Sequence, residues 1–171
     1  MATRFEAYTA DGVVRAHVAG EGRLGELLES EASLVLEMGR LAWLDGSPPI
    51  SWLRQTLRTD DLLVVVAPDD QLIPTHAVWH DLRLLAGPYA ISGLLPTLPG
   101  FDPGRAISRP SGTFILLADV GIGPAGSDPA ATSHHAHAWV NRFAVERVEA
   151  DLELGFFFSG AESEIRVAGG A

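Results

Sequence analysis

The histidines are the residues whose type and spacing could support chemistry in this sequence, because imidazole is the commonest metal ligand in proteins. His134, His135 and His137 lie within four residues, and His80 stands beside Asp81 much earlier in the chain. On a β-strand, His135 and His137 would project from the same face, a spacing that lets two imidazoles bind one ion. The pattern predicts, as one alternative, a divalent-metal site formed by His135, His137 and His80, with Asp81 as another possible third ligand.

Other residue types that could perform catalysis lack the sequence context that they need. Ser92-Gly93 is not part of a Gly-x-Ser-x-Gly elbow. The glycines of residues 120–126 miss the dinucleotide fingerprint, because proline follows the second glycine and no helix opens there. Glu26, Glu29 and Glu31 crowd one short turn, which is typical of a solvated face. We therefore predict a non-catalytic protein without a cofactor, and a divalent metal remains the alternative.

The charge balance is strongly acidic. Twelve arginines and no lysine stand against 22 Asp and Glu residues, which gives a formal net charge of −10 at pH 7. Nucleic-acid affinity rests largely on a cationic footprint that neutralises phosphates. The arginines are spread along the chain without a basic patch. The charge therefore argues against a nucleic-acid partner.

The composition is that of a globular protein, with 47% apolar and 20% charged residues and no cysteine. Disulfides and thiolate metal sites are thereby excluded. No run of 18 apolar residues is present, so we expect no membrane span. The N-terminal segment contains Glu6 and lacks the apolar core of a secretory signal. These features predict a cytoplasmic protein.

Alternating apolar and polar residues predict short strands in both halves of the chain. Asp11-Gly12 predicts a hairpin turn in the first half, and Ala86-Gly87 predicts a matching hairpin in the second half. The run Leu62–Val66 predicts a strand that is buried on both faces. Residues 50–57 fit either a helical stripe or a strand, and the sequence does not decide between them.

Two stretches about 80 residues apart share one pattern, which predicts an internal duplication. Residues 102–122 are expected to form a helical or 3₁₀ turn, a Pro/Gly corner and an apolar strand, and residues 24–41 are a weaker copy. The match aligns Leu36 with Leu116 and Met38 with Ala118. Short strands joined by small turns favour two small β-barrels in tandem, with short helical turns. The predicted boundaries are 1–70 and 75–160, followed by a flexible tail at 161–171.

The order of elements resembles the Sm-like fold, the small five-stranded barrel of RNA-associated ring proteins. In the second half, Gly93, a corner at Asp102 and the apolar strand 114–119 stand where that family has its first motif. Residues 139–148 are similar to its second motif, with Phe143 in place of a glycine. The second half is also similar to duplicated bacterial proteins of unassigned function. The resemblance implies tandem Sm-like (SH3-type) barrels, and it implies an RNA-binding regulator as an alternative function.

The histidine cluster at His134–His137 is also similar to the metal motif of cupins. That likeness implies a metal-binding, cupin-like enzyme as a second alternative function. The cupin motif has a glutamate four or five residues further on, whereas this chain has Arg142 and Phe143 there.

The aromatic residues favour an interaction module. Leu154 is followed closely by Phe156, Phe157 and Phe158, and successive strand residues point to opposite faces. If Phe156 and Phe158 enter a barrel, Phe157 must face the other half or another molecule. The sequence therefore predicts a non-catalytic protein-interaction or assembly module, with this segment at the seam between the halves or in a self-association contact.

Overall fold

The computed structural model describes residues 2–69, 71, 73–100, 112–128, 133–151 and 154–166. Within these ranges the chain is mainly β, with one short helix. The elements are β1 (Thr3–Thr9), β2 (Gly12–Val18), α1 (Leu24–Ser30), β3 (Ser33–Trp43), β4 (Ile50–Arg58), β5 (Leu62–Val66), β6 (Val78–Ala86), β7 (Tyr89–Thr97), β8 (Phe114–Pro124), β9 (Ser133–Asn141), β10 (Val145–Ala150) and β11 (Glu162–Ile165). Two 3₁₀ turns are described, at Thr59–Asp61 and Gly155–Phe157.

Some of the sequence predictions concern other parts of the chain. The predicted corner at Asp102 and residues 167–171 of the predicted tail lie outside the described residues. None of the helices in the described ranges has the length and apolar character needed to cross a membrane.

The strands form one open sheet in the order β11-β10-β6-β7-β8-β9-β5-β1-β2-β3-β4. Every neighbouring pair is antiparallel except β10 and β11, which are parallel. The five strands of the first half follow the order fifth, first, second, third, fourth, and strands β6 to β10 follow the same order. The two runs join where β9 pairs with β5, through Val64 with Val140 and Val65 with Trp139. The sheet is therefore continuous from one half into the other.

The two predicted hairpins are confirmed. β1 and β2 turn at Ala10 and Asp11, and β6 and β7 turn at Gly87, whose φ of +52° lies in the left-handed region that suits glycine. Gly12 is required for a different reason, since a Cβ there would lie 2.1 Å from the carbonyl oxygen of Ala42 on β3. Glycine thus lets the backbones of β2 and β3 approach each other closely.

Two hydrophobic clusters lie on the sheet, and each takes residues from both halves. The first is built mainly on β1 to β5 and also contains Phe114 and Trp139 from the second half. The second is built mainly on β6 to β10 and also contains Tyr8 from β1. Val64 packs in the second cluster and Val65 in the first, both fully buried. This confirms that the run Leu62–Val66 is buried on both faces.

Strands β3 and β8 each contain one non-glycine residue with left-handed backbone geometry. These residues are Met38, with a φ of +48°, and Asp119, with a φ of +52°. The pairing register shifts beside each of them, between β2 and β3 and between β7 and β8. The sequence match paired Met38 with Ala118, whereas the left-handed residue of β8 is Asp119.

The structure decides the ambiguous segment and adds two elements. Residues Ile50–Arg58 form β4, which pairs with β3 along its length. Within the predicted tail, Glu162–Ile165 form β11 beside β10. The apolar segment Leu154–Phe158 contains a 3₁₀ turn at Gly155–Phe157 instead of a strand, so its successive side chains do not alternate between two faces.

Candidate functional site

The histidines predicted to bind a metal occupy two separate strands. His135 and His137 lie on one face of β9, as their spacing requires, and both are partly buried. His80 lies on β6, where its Nε2 is 2.7 Å from the Thr97 hydroxyl, and strands β7 and β8 stand between β6 and β9. Among the described residues, no three His, Asp or Glu side chains are grouped so as to hold a metal ion. The metal site stays a prediction, which elemental analysis of untagged protein tests.

His135 instead belongs to a polar cluster between β1 and β9. The Tyr8 hydroxyl lies 3.2 Å from His135 Nε2 and 3.1 Å from Ser133 Oγ. Ser133 Oγ donates to the carbonyl oxygen of Ile122 at 3.0 Å. A hydroxyl has one proton, so Tyr8 donates to Ser133 and accepts from the Nε2–H of His135. The cluster therefore forms a single chain of hydrogen bonds.

Glu6 and Arg15 complete the charged side of this cluster. Arg15 Nε donates to Glu6 Oε2 at 3.0 Å, and Glu6 Oε1 lies 4.0 Å from His135 Nε2. Burial lowers the pKa of His135, and the Glu6 carboxylate opposes that shift. Burial also raises the pKa of Tyr8. Both groups are therefore neutral near pH 7, where they join β1 to β9 by hydrogen bonds.

The cluster does not contain an activated nucleophile. The Ser133 proton is directed to a backbone carbonyl, and its neighbour Tyr8 is a donor to it rather than a base. The exposed pair His134 and Asp119, with 2.6 Å between Nε2 and Oδ1, lies on the neighbouring strands β9 and β8. The arrangement supports a structural role for these side chains, and sequence reasoning missed Tyr8 and Glu6 because they lie far from the histidines in the chain.

Glu29 is a second contact between the halves that the sequence did not reveal. Its carboxylate, at the end of α1, accepts backbone N–H groups of Thr113 and Phe114 at 2.8 to 3.0 Å. The sequence indicated a solvated face for this glutamate. Its side chain is exposed, as that pattern predicted, and it also holds the helix of the first half to the start of β8.

The apolar segment Leu154–Phe158 is anchored within the chain. Leu154 and Phe158 are fully buried in the second hydrophobic cluster, and Phe157 packs against that cluster. The Phe156 and Phe157 rings lie 4.3 Å apart, and both side chains are partly buried. A self-association contact through this segment stays a prediction, with Phe156 and Phe157 as its accessible part.

The longer exposed edge of the sheet in the described chain is the strand β4. It is nine residues long, pairs with β3 on one side, and has no strand on the other side within the described residues. Leu53 on this strand is 85% exposed, and Ile50 at its start is exposed too. Met38 on the neighbouring strand β3 is also exposed. Arg54 and Arg58 are also exposed here. The other edge is β11, which is only four residues long and exposed throughout.

A cavity of about 560 Å³ lies beside β4. Trp43 and Trp52 are among its walls, and Asp11, Asp60 and Asp61 are its carboxylates. The rest of its lining is largely apolar, from Val14, Leu36, Leu41, Ile50, Leu57 and Leu63. A second cavity, of about 650 Å³, lies between α1 and Trp139.

Gly39 determines how Trp52 packs against β3. A Cβ at Gly39 would lie 2.2 Å from Cε2 of the Trp52 indole, so only glycine leaves space for the ring. The indole Nε1 is buried there without a hydrogen-bond partner among the described residues. The ring thus covers the glycine of the paired strand and forms a wall of the cavity.

The fold and these surfaces define a mainly β protein with one continuous sheet, an edge strand without a second partner among the described residues, and a cavity beside that strand. Comparisons with protein-family models, with curated proteins and with solved structures gave no match for this chain.

Proposed function

We propose that this chain is a non-catalytic assembly module, built as two tandem Sm-like barrels, that pairs with a second copy of itself through the edge strand β4. The observation that carries the proposal is the bare nine-residue edge of β4. An edge strand presents a row of unpaired N–H and C=O groups, which another strand can satisfy.

The internal symmetry of the sheet supports the two-barrel part of the proposal. Both halves place their strands in the same order, and both change register beside a left-handed residue of the third strand. The fourth strand of the second half, β9, already pairs with β5 of the first half. β4 is the fourth strand of the first half, and it lacks the equivalent partner among the described residues.

Charge favours the edge strand β11 of the next copy as the occupant of β4. β4 carries Arg54 and Arg58, whereas β11 carries Glu162 and Glu164. Two β4 strands side by side would instead bring like charges together, which disfavours a symmetric pair. Pairing of opposite edges is head-to-tail, so it produces a ring or an open chain rather than a closed dimer.

Two kinds of interaction would favour the contact. Each inter-strand hydrogen bond contributes about 0.5–1.5 kcal/mol net. Covering the exposed Leu53 side chain contributes about 1.5–3 kcal/mol more. A lysine at position 53 would forfeit the apolar term and add a charge beside Arg54, so it should weaken assembly at least about tenfold.

Light-scattering mass measurements over a concentration series test the proposal. The wild-type chain should form species larger than a dimer as concentration rises, and Leu53→Lys should reach the same mass only at concentrations at least about tenfold higher. The matched control is Leu98→Lys, because Leu98 is 79% exposed but lies beyond β7 in the second half. It should assemble like the wild type. A wild-type chain that stays monomeric up to its solubility limit, or equal assembly of both variants, would contradict the proposal.

A further inference from the structure

We infer that the cavity beside β4 is a binding site for an organic cation with an apolar body, of the alkylammonium class. The inference rests on the cavity walls alone and does not depend on strand pairing at β4.

The aromatic walls favour a cation. Trp43 and Trp52 both line the cavity. The face of an indole ring attracts a cation within about 6 Å, and it does so more strongly than other aromatic rings. Gly39 fixes one of these rings by leaving space for Trp52 on β3. One aromatic wall is thus held in place before a ligand arrives.

The carboxylates around the cavity have the sign that a cation needs. Asp11, Asp60 and Asp61 belong to the lining, and no arginine or histidine of the described chain does. Arg58 forms an ion pair with Asp60 at 3.2 Å. Neither Asp11 nor Asp61 forms an ion pair with a described residue, so within the described chain these two carboxylates have no counter-ion.

The floor and the size of the cavity define the rest of the ligand. The floor of the cavity is apolar: its lining includes Val14 and Leu36 of the first hydrophobic cluster, and Leu41, which packs against that cluster. A volume of about 560 Å³ lies within the usual range of small-molecule sites, about 300–1,000 Å³. An alkyl chain can contact this floor while its ammonium group meets the indoles and carboxylates. An anion of the same length would be repelled by the carboxylates of Asp11 and Asp61.

Three probes of equal chain length test the inference by calorimetry and tryptophan fluorescence: hexyltrimethylammonium, 1-hexanol and hexane-1-sulfonate. The cation should bind at least about fivefold more tightly than the alcohol, because it adds the charge and ring interactions. The sulfonate should bind more weakly than the alcohol. Equal affinity for the three probes, or no saturable binding of the cation, would overturn the inference.

Charge-removing variants locate the site. The double variant Asp11→Asn/Asp61→Asn should weaken binding of hexyltrimethylammonium about fivefold and leave 1-hexanol binding unchanged. Asp69→Asn is the matched control, because Asp69 is exposed and lies outside the cavity lining. It should bind the cation like the wild type. If the double variant binds the cation as tightly as this control, the carboxylates have no part in recognition and the inference is wrong.

Discussion

Tyr8 connects the halves of the sheet at the level of single atoms. Its hydroxyl links Ser133 and His135 of β9, and its ring meets the Tyr89 ring edge-on with 5.3 Å between centroids. The Tyr89 hydroxyl in turn donates to the Thr9 carbonyl oxygen at 2.7 Å. Tyr8 of the first strand thus packs against the second half through its ring and forms hydrogen bonds with the second half through its hydroxyl.

Removing the Tyr8 hydroxyl should destabilise the protein. Tyr8→Phe keeps the ring packing but deletes two hydrogen bonds, which should lower the free energy of unfolding by about 1–2 kcal/mol in urea titrations. Ser133→Ala removes a partner of the same hydroxyl. Because the two side chains share a bond, their effects should be less than additive in a double-mutant cycle. Strictly additive losses would show that the chain of hydrogen bonds does not act as a unit.

His135 should make the fold sensitive to mild acid. Burial lowers the pKa of His135 in the folded state, so the unfolded chain takes up this proton first as pH falls. Stability should therefore decline as pH drops below about 6.5 and level off below the folded-state pKa. Urea titrations from pH 7.5 to 5 should show a smaller loss for His135→Gln than for the wild type. The exposed His76→Gln serves as the control, and equal pH dependence in all three proteins would contradict this assignment.

At the scale of single elements, local signals in the sequence were sufficient for the hairpins and for β5. The residue types of Asp11-Gly12 and Ala86-Gly87 are those that tight turns require, so they predicted both hairpins. The unbroken apolar run Leu62–Val66 predicted a strand that is buried on both faces. β4 could not be decided, because its apolar residues fit a helical stripe although Leu53 is 85% exposed in the sheet. An exposed edge strand lacks the alternation that burial imposes.

The register shift in β3 was invisible in the sequence, since methionine gives no signal for left-handed geometry. Met38 is 64% exposed, so little packing depends on its side chain. Met38→Gly should relieve about 1–2 kcal/mol of backbone strain and lose about 0.5–1 kcal/mol through the freer unfolded chain. Its free energy of unfolding should therefore equal or slightly exceed that of the wild type.

Arg40→Gly is the matched control on the same strand. Arg40 is exposed and is not among the residues with positive φ. The glycine should cost about 0.5–1 kcal/mol there, because strand geometry offers no strain to relieve. If thermal or urea unfolding shows Met38→Gly to be as destabilised as Arg40→Gly, the left-handed geometry of Met38 does not strain the backbone at this register shift.

At the scale of the whole molecule, the sequence correctly indicated a mainly β fold, but it could not indicate one continuous sheet. The pairing of β5 with β9 joins Val64 to Val140 across nearly half of the chain length, and no local pattern specifies such a contact. The same limit applies to the cavity and the polar cluster, whose members come from distant strands. Periodicity shows which side of a strand is buried, and tertiary pairing decides which strand covers it.

The net charge of −10 leads to a prediction about partners. An acidic surface repels phosphate, and the arginines are spread along the chain without a basic patch. We expect no binding of RNA or DNA oligonucleotides in anisotropy titrations near physiological salt. Sub-micromolar, salt-dependent binding would instead support the RNA-binding alternative that the Sm-like resemblance implies.

Hydrogen–deuterium exchange of the β4 backbone tests the central proposal most directly, because it observes the strand edge itself. Amides of residues 50–58 should gain protection as concentration and mass rise, and those of β11 should gain it in parallel. In Leu53→Lys the same protection should require concentrations at least about tenfold higher, whereas Leu98→Lys should follow the wild type. Assembly that proceeds while exchange along β4 stays unchanged would show that another surface joins the copies, and it would contradict the account.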